Sequence, residues 1–455
     1  MRKRPVRVWR GTCLRQTPSE QHAVVTSDVT DARPRLVLLA TDSWEQINGI
    51  STLYRAVIET LDQHFSGLCR LLIVHAADAP RETVIGNQHR VVGVAPRIRF
   101  RVPQYPELLT GYISRAQFAK IEREHGNIDV VHVATQGLVG LSASRYAKLR
   151  RKPCVGFYHT HWPAYVSAYL PAAVPSGIRQ PLGRMLARRW DQLVYGRCNP
   201  IVVHTARSEQ WLPPALKGRI VRASEFVDCG RFHADESGAD RDRTPGEVVF
   251  GFVGRIAREK NLTSILLHAD RIKDLGCRLV IVGDGPERST LSRHQAAFAG
   301  WKSGRELVAM YNQMHLLLLP AESDTLGLVL LEAAACGIPA VALRNTVAAD
   351  CIEQYGSGVV VDAFDGELFG ALRALVQSER FSTMRRQARA MAADHDILRG
   401  TSTLLRAWSE ASPIESAQGL AATPSAERFF TKRPPTIRRP LTSPFGKRSY
   451  FLRRL

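Results

Sequence analysis

The sequence predicts an α/β protein made of two Rossmann-like, doubly wound parallel-sheet domains facing across a cleft. Three observations carry that expectation. The chain has 455 residues, more than one hydrophobic core usually serves, which favours two domains of roughly 150 to 200 residues each. Apolar runs followed by a polar loop and an amphipathic helix recur along it, the pattern of parallel strands covered on both faces. A polar, aperiodic run between Asp235 and Gly246 then interrupts the scheme before it restarts.

Residues 1–33 show no clear period and are expected to form a loose basic arm. The N-terminal domain, 34–236, opens with the buried strand Leu36–Ala40, the polar loop Thr41–Gly49 and a helix over Ser51–His64. Strands follow at Leu71–His75, Asp129–Val133 and Cys154–Tyr158, the last two separated by a helix over Leu138–Leu149. The linker is expected at 237–246. The C-terminal domain, 247–393, alternates strands at Val248–Val253, Leu279–Val282, His315–Leu319 and Ala340–Leu343 with helices over Leu262–Asp274, Arg305–Gln313 and Leu326–Cys336. Gly337 suits the left-handed turn that ends such a helix. Glu367–Ser378 and Arg380–Ala393 read as helices, 394–411 as a last amphipathic helix reaching Trp408, and 412–455 as a basic, disordered tail.

The 45% hydrophobic and 23% charged content excludes fibrous and disordered classes without naming a chemistry. Eight scattered cysteines with no Cys-x-x-Cys pair read as reduced thiols. No signal-peptide-like stretch and no run of about 20 apolar residues is present, so a cytoplasmic location is expected. The net charge is +20. Arg428–Leu455 holds nine basic residues and no acidic one, interleaved with prolines and aromatics. Such a tail suits an anionic membrane surface at about 1 kcal/mol per basic residue; nucleic acid offers similar chemistry, and a solvated tail with no partner fits equally.

Open parallel sheets bind ligands beyond the carboxyl ends of their strands, and three loops of the second domain lie there. Gly254-Arg255-Ile256-Ala257-Arg258-Glu259-Lys260-Asn261 puts two cations, Arg255 and Lys260, in one short loop opening a helix, suited to two phosphates. An exposed basic loop would have the same composition. Ile281-Val282-Gly283-Asp284-Gly285-Pro286 is a tight strand-to-helix turn that carries little alone. In the third, Asp324 lies just ahead of a helix and Glu332 about a turn and a half inside it, bracketing an N-terminus whose amides attract anions. A diphosphate would rest over Leu326 and Gly327 with the two acids accepting sugar and ribose hydroxyls. A helix cap at Asp324 and a surface Glu332 are the plain alternative.

This order of motifs, with Phe298-Ala299-Gly300 and the acid-x7-Glu-Ala run through Thr325, resembles the retaining glycosyltransferases of the GT-B fold. The likeness is to the large mannosyl- and glucosyltransferase family, group 1, that includes sulfoquinovosyltransferases. It spans about 35–395. In the first domain Asn48-Gly49-Ile50 resembles the family's Asn-Gly-Val loop, Asp129–Thr135 and Tyr158-His159-Thr160 match its spacing, and Phe226-Val227-Asp228 resembles its Gly-Val-Asp segment, with phenylalanine in place of glycine. The resemblance implies that Arg255 and Lys260 bind the diphosphate of a nucleotide sugar, Glu332 the ribose and Asp324 the transferred sugar. Gly49 would close on the phosphate and His159 approach the reacting sugar; Asn48, Gly283, Gly300, Thr325, Leu326 and Gly327 complete the implied donor site.

Loss of the anomeric bond leaves negative charge on the departing diphosphate, which two fixed cations and a helix dipole stabilise, so no metal or other cofactor is expected. The resemblance implies retention, with the leaving phosphate oxygen accepting the acceptor's proton. The acceptor is expected to be lipid-linked or a saccharide. Asp240-Arg241-Asp242 resembles a metal-binding Asp-x-Asp but sits in the linker, and His159-Thr160-His161 lacks a third ligand at zinc spacing. Two other classes stay open: an epimerase of the same fold, needing donor alone, and a non-enzymatic nucleic-acid binder using the basic tail.

Overall fold

The computed structural model describes residues 7–8, 35–42, 44–46, 48–102, 105–163, 166, 174–223, 226–235, 247–322 and 327–411. The expected linker 237–246, the tail 412–455 and the arm apart from Arg7–Val8 lie outside these. In chain order the first half contains β1 (Arg7–Val8), β2 (Arg35–Ala40), α1 (Gly49–His64), β3 (Cys69–Ala76), β4 (Arg81–Ile85), β5 (His89–Val94), β6 (Ile98–Val102) and β7 (Tyr105–Tyr112). It continues with α2 (Arg115–His125), β8 (Val130–Val133), α3 (Leu138–Arg150), β9 (Cys154–Tyr158), α4 (Ser176–Tyr195), β10 (Ile201–Val203), α5 (Ala206–Trp211) and β11 (Ile220–Arg222). Nine of these strands form one sheet in the order β1-β11-β10-β9-β8-β2-β3-β5-β4.

The second half holds β12 (Val248–Val253), α6 (Thr263–Leu266), α7 (Ala269–Asp274), β13 (Cys277–Val282), α8 (Arg288–Leu291), β14 (Ala297–Gly300), α9 (Gly304–Gln313) and β15 (Leu316–Leu319). After these come α10 (Leu328–Ala335), β16 (Ala340–Leu343), α11 (Val347–Tyr355), β17 (Gly358–Val361), α12 (Gly366–Val376), α13 (Glu379–Asp394) and α14 (Ile397–Ala411). Its six strands form an all-parallel sheet, β14-β13-β12-β15-β16-β17. Both halves are doubly wound, because each central strand is buried apart from Arg35 at the start of β2, and helices must cover both faces of the sheet.

Several expectations change. The first sheet is not wholly parallel: β4 pairs antiparallel with β5 at its edge, exposed along nearly its full length. Arg7–Val8, expected within a loose arm, pairs with β11 as the other edge. An antiparallel hairpin, β6–β7, adds to the expected elements; the alternation in Ile98-Arg99-Phe100-Arg101 is the period of a strand. The helix expected over Leu262–Asp274 breaks into α6 and α7 at exposed Leu267 and half-buried His268, where the bonding tightens from His268 N–H to the Ile265 carbonyl at 3.0 Å.

The backbone passes between the halves twice, side by side. Val227 N–H donates to the His395 carbonyl (2.8 Å) and Ile397 N–H to the Val227 carbonyl (2.9 Å). Phe226, the residue in place of the resemblance's glycine, is buried against Gly400, where an added Cβ would lie 1.9 Å from its ring. α14 then returns to the first domain: Ile397, Leu404 and Trp408 belong to the core that holds α1 and β2.

Helix α4 is fastened to the first sheet by its C-terminal half. Tyr195 donates to the Phe157 carbonyl (3.0 Å), Trp190 to the Gln136 carbonyl (2.6 Å) and Tyr158 to Asp191 Oδ2 (3.2 Å). Asp191 Oδ1 has no partner among the described residues, and burial pushes this carboxyl up to about 8 against the hydrogen bond from Tyr158. An acid raised in the folded state is best tolerated below its unfolded pKa, so its stabilising contribution declines by about 1.4 kcal/mol per unit as pH climbs from 4 towards 8, then levels. Asp191→Asn should abolish that slope. Unfolding free energies of both proteins across this range check it, and parallel curves would refute the assignment.

Candidate active site

In each sheet the strand order reverses at one place: between β2 and β8 in the first, and between β12 and β15 in the second. These switch points open crevices at the strands' carboxyl ends. From the first domain, the segment after β2 leads into α1, whose cap Asn48 accepts from Ser51 N–H at 3.0 Å while Ser51 Oγ answers Asn48 N–H at 3.2 Å. From the second come the loop after β12 and the loop before α10. They meet: a Cβ on Gly49 would stand 3.8 Å from Leu328 Cδ1, so the leading ends of α1 and α10 abut across the two domains.

The glycine loops stack on one another. Gly254 has φ +149° and Gly283 φ +136°, and a Cβ on Gly283 would lie 1.9 Å from the Gly254 carbonyl oxygen. Gly283 N–H donates to the Gly300 carbonyl at 2.8 Å, and Gly300 has φ +72°. Backbone packing alone therefore demands glycine at Gly283. Asn261 Nδ2 donates to the Pro320 carbonyl at 3.3 Å, tying the loop of Arg255 and Lys260 to the start of the acidic loop. Within that last loop Asp324, Thr325 and Leu326 lie outside the described residues; Gly327 is seen, with φ +76° as the cap of α10.

Glu332 is buried rather than a surface residue, and accepts a hydrogen bond from Tyr311 Oη at 2.7 Å. Burial raises its carboxyl above the usual range, countered by the Tyr311 hydrogen bond and the charge of Arg231. Arg255, half-buried, forms an ion pair with Glu107 on β7 of the first domain. A carboxylate thus already sits on one of the two expected phosphate-binding cations. Lys260, also half-buried, ends the short 3-10 turn Arg258–Lys260.

His159 sits in a buried row of rings. Both ring nitrogens are engaged internally: Nε2 with Tyr54 Oη at 3.1 Å and Nδ1 with His204 Nε2 at 3.1 Å. The row continues from Tyr54 Oη to His132 Nε2 (2.7 Å) and from His132 Nδ1 to Trp408 Nε1 (3.0 Å). An indole N–H can only donate, so His132 Nδ1 accepts, its Nε2–H donates to Tyr54, Tyr54 donates to His159 Nε2, and His159 Nδ1–H donates to His204. Burial holds His132 and His204 down at about 3 and His159 well below the ordinary range, so each ring is neutral. The imidazole of His159 is held in one tautomer by these two neighbours.

Two groups escaped the sequence reading. One is this row, whose members are far apart in the chain and individually resemble core residues. The other is Asp42, which accepts from Thr135 Oγ1 (2.6 Å), Thr110 Oγ1 and Val139 N–H (3.1 Å), filling the N-terminus of α3 from within. Its position at the end of β2, beside the switch point, was the available signal.

Residues 235–393 match the family model described as glycosyl transferases group 1, and 48–231 match that of glycosyltransferase family 4. Over 80% of its length the chain is 29% identical to a GDP-mannose-dependent alpha-mannosyltransferase of Mycobacterium tuberculosis, covering 92% of that protein. A D-inositol 3-phosphate glycosyltransferase of Saccharomonospora viridis is 27% identical over 68% of the chain and 76% of its own. The sulfoquinovosyl transferase of Arabidopsis thaliana is 27% identical over 50% of the chain, which spans only 45% of that relative. Among solved structures, sucrose-phosphate synthase from Thermosynechococcus elongatus superposes with a TM-score of 0.63 at 16% identity, over 84% of this chain and all of that one. The glycosyltransferase WaaG gives 0.56 at 14%, over 83% and 100%. These two share the GT-B fold.

Proposed function

The chain belongs to the group 1 glycosyltransferases, enzymes of the GT-B fold, and from that premise we propose that it moves a hexose, with retention, from a nucleotide diphosphate sugar to a glycolipid or saccharide acceptor. GDP-mannose is the favoured donor, because two of the relatives most similar over most of the chain are named for it; a UDP-hexose is the alternative. The observation that carries this reading is the meeting of the α1 and α10 N-termini at Gly49 and Leu328, bordered by the loop of Arg255 and Lys260.

Anomeric bond cleavage builds positive charge on the sugar and adds negative charge to the departing diphosphate. Helix dipoles and fixed cations aimed at that diphosphate stabilise the transition state more than the ground state. Arg255 exchanges Glu107 for a phosphate oxygen, and Lys260 takes a second. Glu332, with Tyr311 on one oxygen, accepts from the ribose hydroxyls through the other; Asp324 holds the hexose, and Thr325, Leu326 and Gly327 supply amides. His159 positions the first-domain wall and transfers no proton. The leaving phosphate oxygen takes the acceptor's proton on the same face.

A donor bound at a hundred times its Kd stabilises the fold by about 2.7 kcal/mol, so a thermal-unfolding screen of nucleotide sugars should show a shift of a few degrees with GDP-mannose. Product analysis then separates transfer from epimerisation, which needs donor alone. A panel in which no nucleotide sugar moves the transition would overturn the proposal.

A further inference from the structure

We propose that the outward face of α4 is a docking surface for an anionic lipid bilayer. Of the ten large hydrophobic residues exposed among the described residues, four lie on this helix: Ile178 (54%), Met185 (44%), Leu186 (39%) and Leu193 (55%). Their spacings from Ile178, seven, eight and fifteen residues, put them on one face. Arg189 is exposed within this stripe, and exposed Arg188 and Arg184 lie successively to one side of it. The only acid in the helix, Asp191, is buried on the opposite side against Tyr158.

The chemistry selects the partner. Arginines flanking a stripe of Ile, Met and Leu match a surface that is anionic outside and apolar just beneath, where such a helix lies in plane with its apolar residues in the acyl boundary. Nucleic acid would leave the apolar stripe unused. A second copy of the chain would set three arginines against three. An open groove between α4 and the turn after α5, lined by Arg184, Met185, Arg188, Pro213 and Pro214, gives lipid phosphates a place beside the guanidinium groups.

The same helix is fixed to the wall of the site. Trp190 holds the Gln136 carbonyl, Gln136 Nε2 donates to the Thr160 carbonyl at 3.2 Å, and Thr160 adjoins His159. A docked α4 therefore holds the acceptor side of the site at a set distance from the bilayer. This deepens, and rests for its purpose on, the reading of a lipid-linked acceptor, although binding to lipid is measured without any transfer.

The test is cosedimentation of the full chain with vesicles of phosphatidylcholine alone or with about one third phosphatidylglycerol. Tail arginines and lysines (Arg438, Arg439, Lys447, Arg448, Arg453, Arg454) are changed to glutamine in every protein, so that the tail's charge does not mask the helix. Binding should require phosphatidylglycerol and weaken with salt. Arg184→Gln, Arg188→Gln and Arg189→Gln together should weaken it on the order of 100-fold. Met185→Ser with Leu193→Ser, which keeps every charge, should weaken it at least several-fold, with unfolding temperatures unchanged. Equal binding by the parent and both variants, or equal binding to both vesicle types, would overturn the proposal. Transfer to a water-soluble acceptor should survive in the variants; its absence in the unaltered chain would count against the transferase reading and leave the lipid result standing.

Discussion

Lys260→Ala should slow hexose transfer by about 100- to 1000-fold, the usual loss when one preorganised donor to developing transition-state charge is removed. The effect belongs in kcat, since the diphosphate's charge grows as the anomeric bond breaks, and donor affinity should fall much less. Lys260 lies on a short turn outside the buried sheet cores, so the unfolding temperature should stay within about a degree or two, as for other surface substitutions. Lys260→Arg keeps the charge and should recover part of the rate. Steady-state kinetics with a saturating acceptor decide the matter. A Lys260→Ala enzyme retaining near-normal kcat would remove the electrostatic basis of the proposed mechanism.

Trp408→Phe should destabilise the protein by about 2–4 kcal/mol, combining a smaller ring in a site that is 1% exposed with a buried acceptor stripped of its donor. It should do something else that a packing defect alone would not. Trp408 gives the row of rings its direction at one end; at the other, the neighbouring backbone of Ala223 favours an N–H on His204. With the indole N–H gone, His132 is free to carry its proton on either nitrogen, and Tyr54 no longer has to donate to His159. Nitrogen NMR of the imidazoles should then show mixed tautomers at His132 and His159, where the unaltered protein shows one each. An unchanged tautomer pattern in a merely less stable Trp408→Phe protein would reduce the row to packing.

The sequence made legible whatever rests on short-range pattern. Val248–Val253 and Ala340–Leu343 appear as expected because uninterrupted apolar runs bounded by glycine and proline have few alternatives. The place of Glu332 inside a helix was legible from its spacing, although its burial and its bond to Tyr311 were not. What escaped depends on contacts between distant residues. His132 and Trp408 are 276 positions apart, and nothing local marks either as the other's partner. The hairpin β6–β7 escaped for another reason: four exposed residues ahead of a half-buried one look like a loop unless their alternation is weighed. Glu107 on that hairpin reaches Arg255, a contact between residues 148 positions apart that no local pattern marks.

The double passage at Val227 and Ile397 makes the second domain an insertion within the first, and this orders events at the ribosome. Synthesis delivers β2, α1 and the rest of the first sheet early, but the helix that buries Trp408 against them emerges only after the whole inserted domain. At usual elongation rates that interval is on the order of ten seconds or more. Throughout it the nascent first domain carries an uncovered apolar patch, which makes it a natural client for chaperones until the last helix arrives.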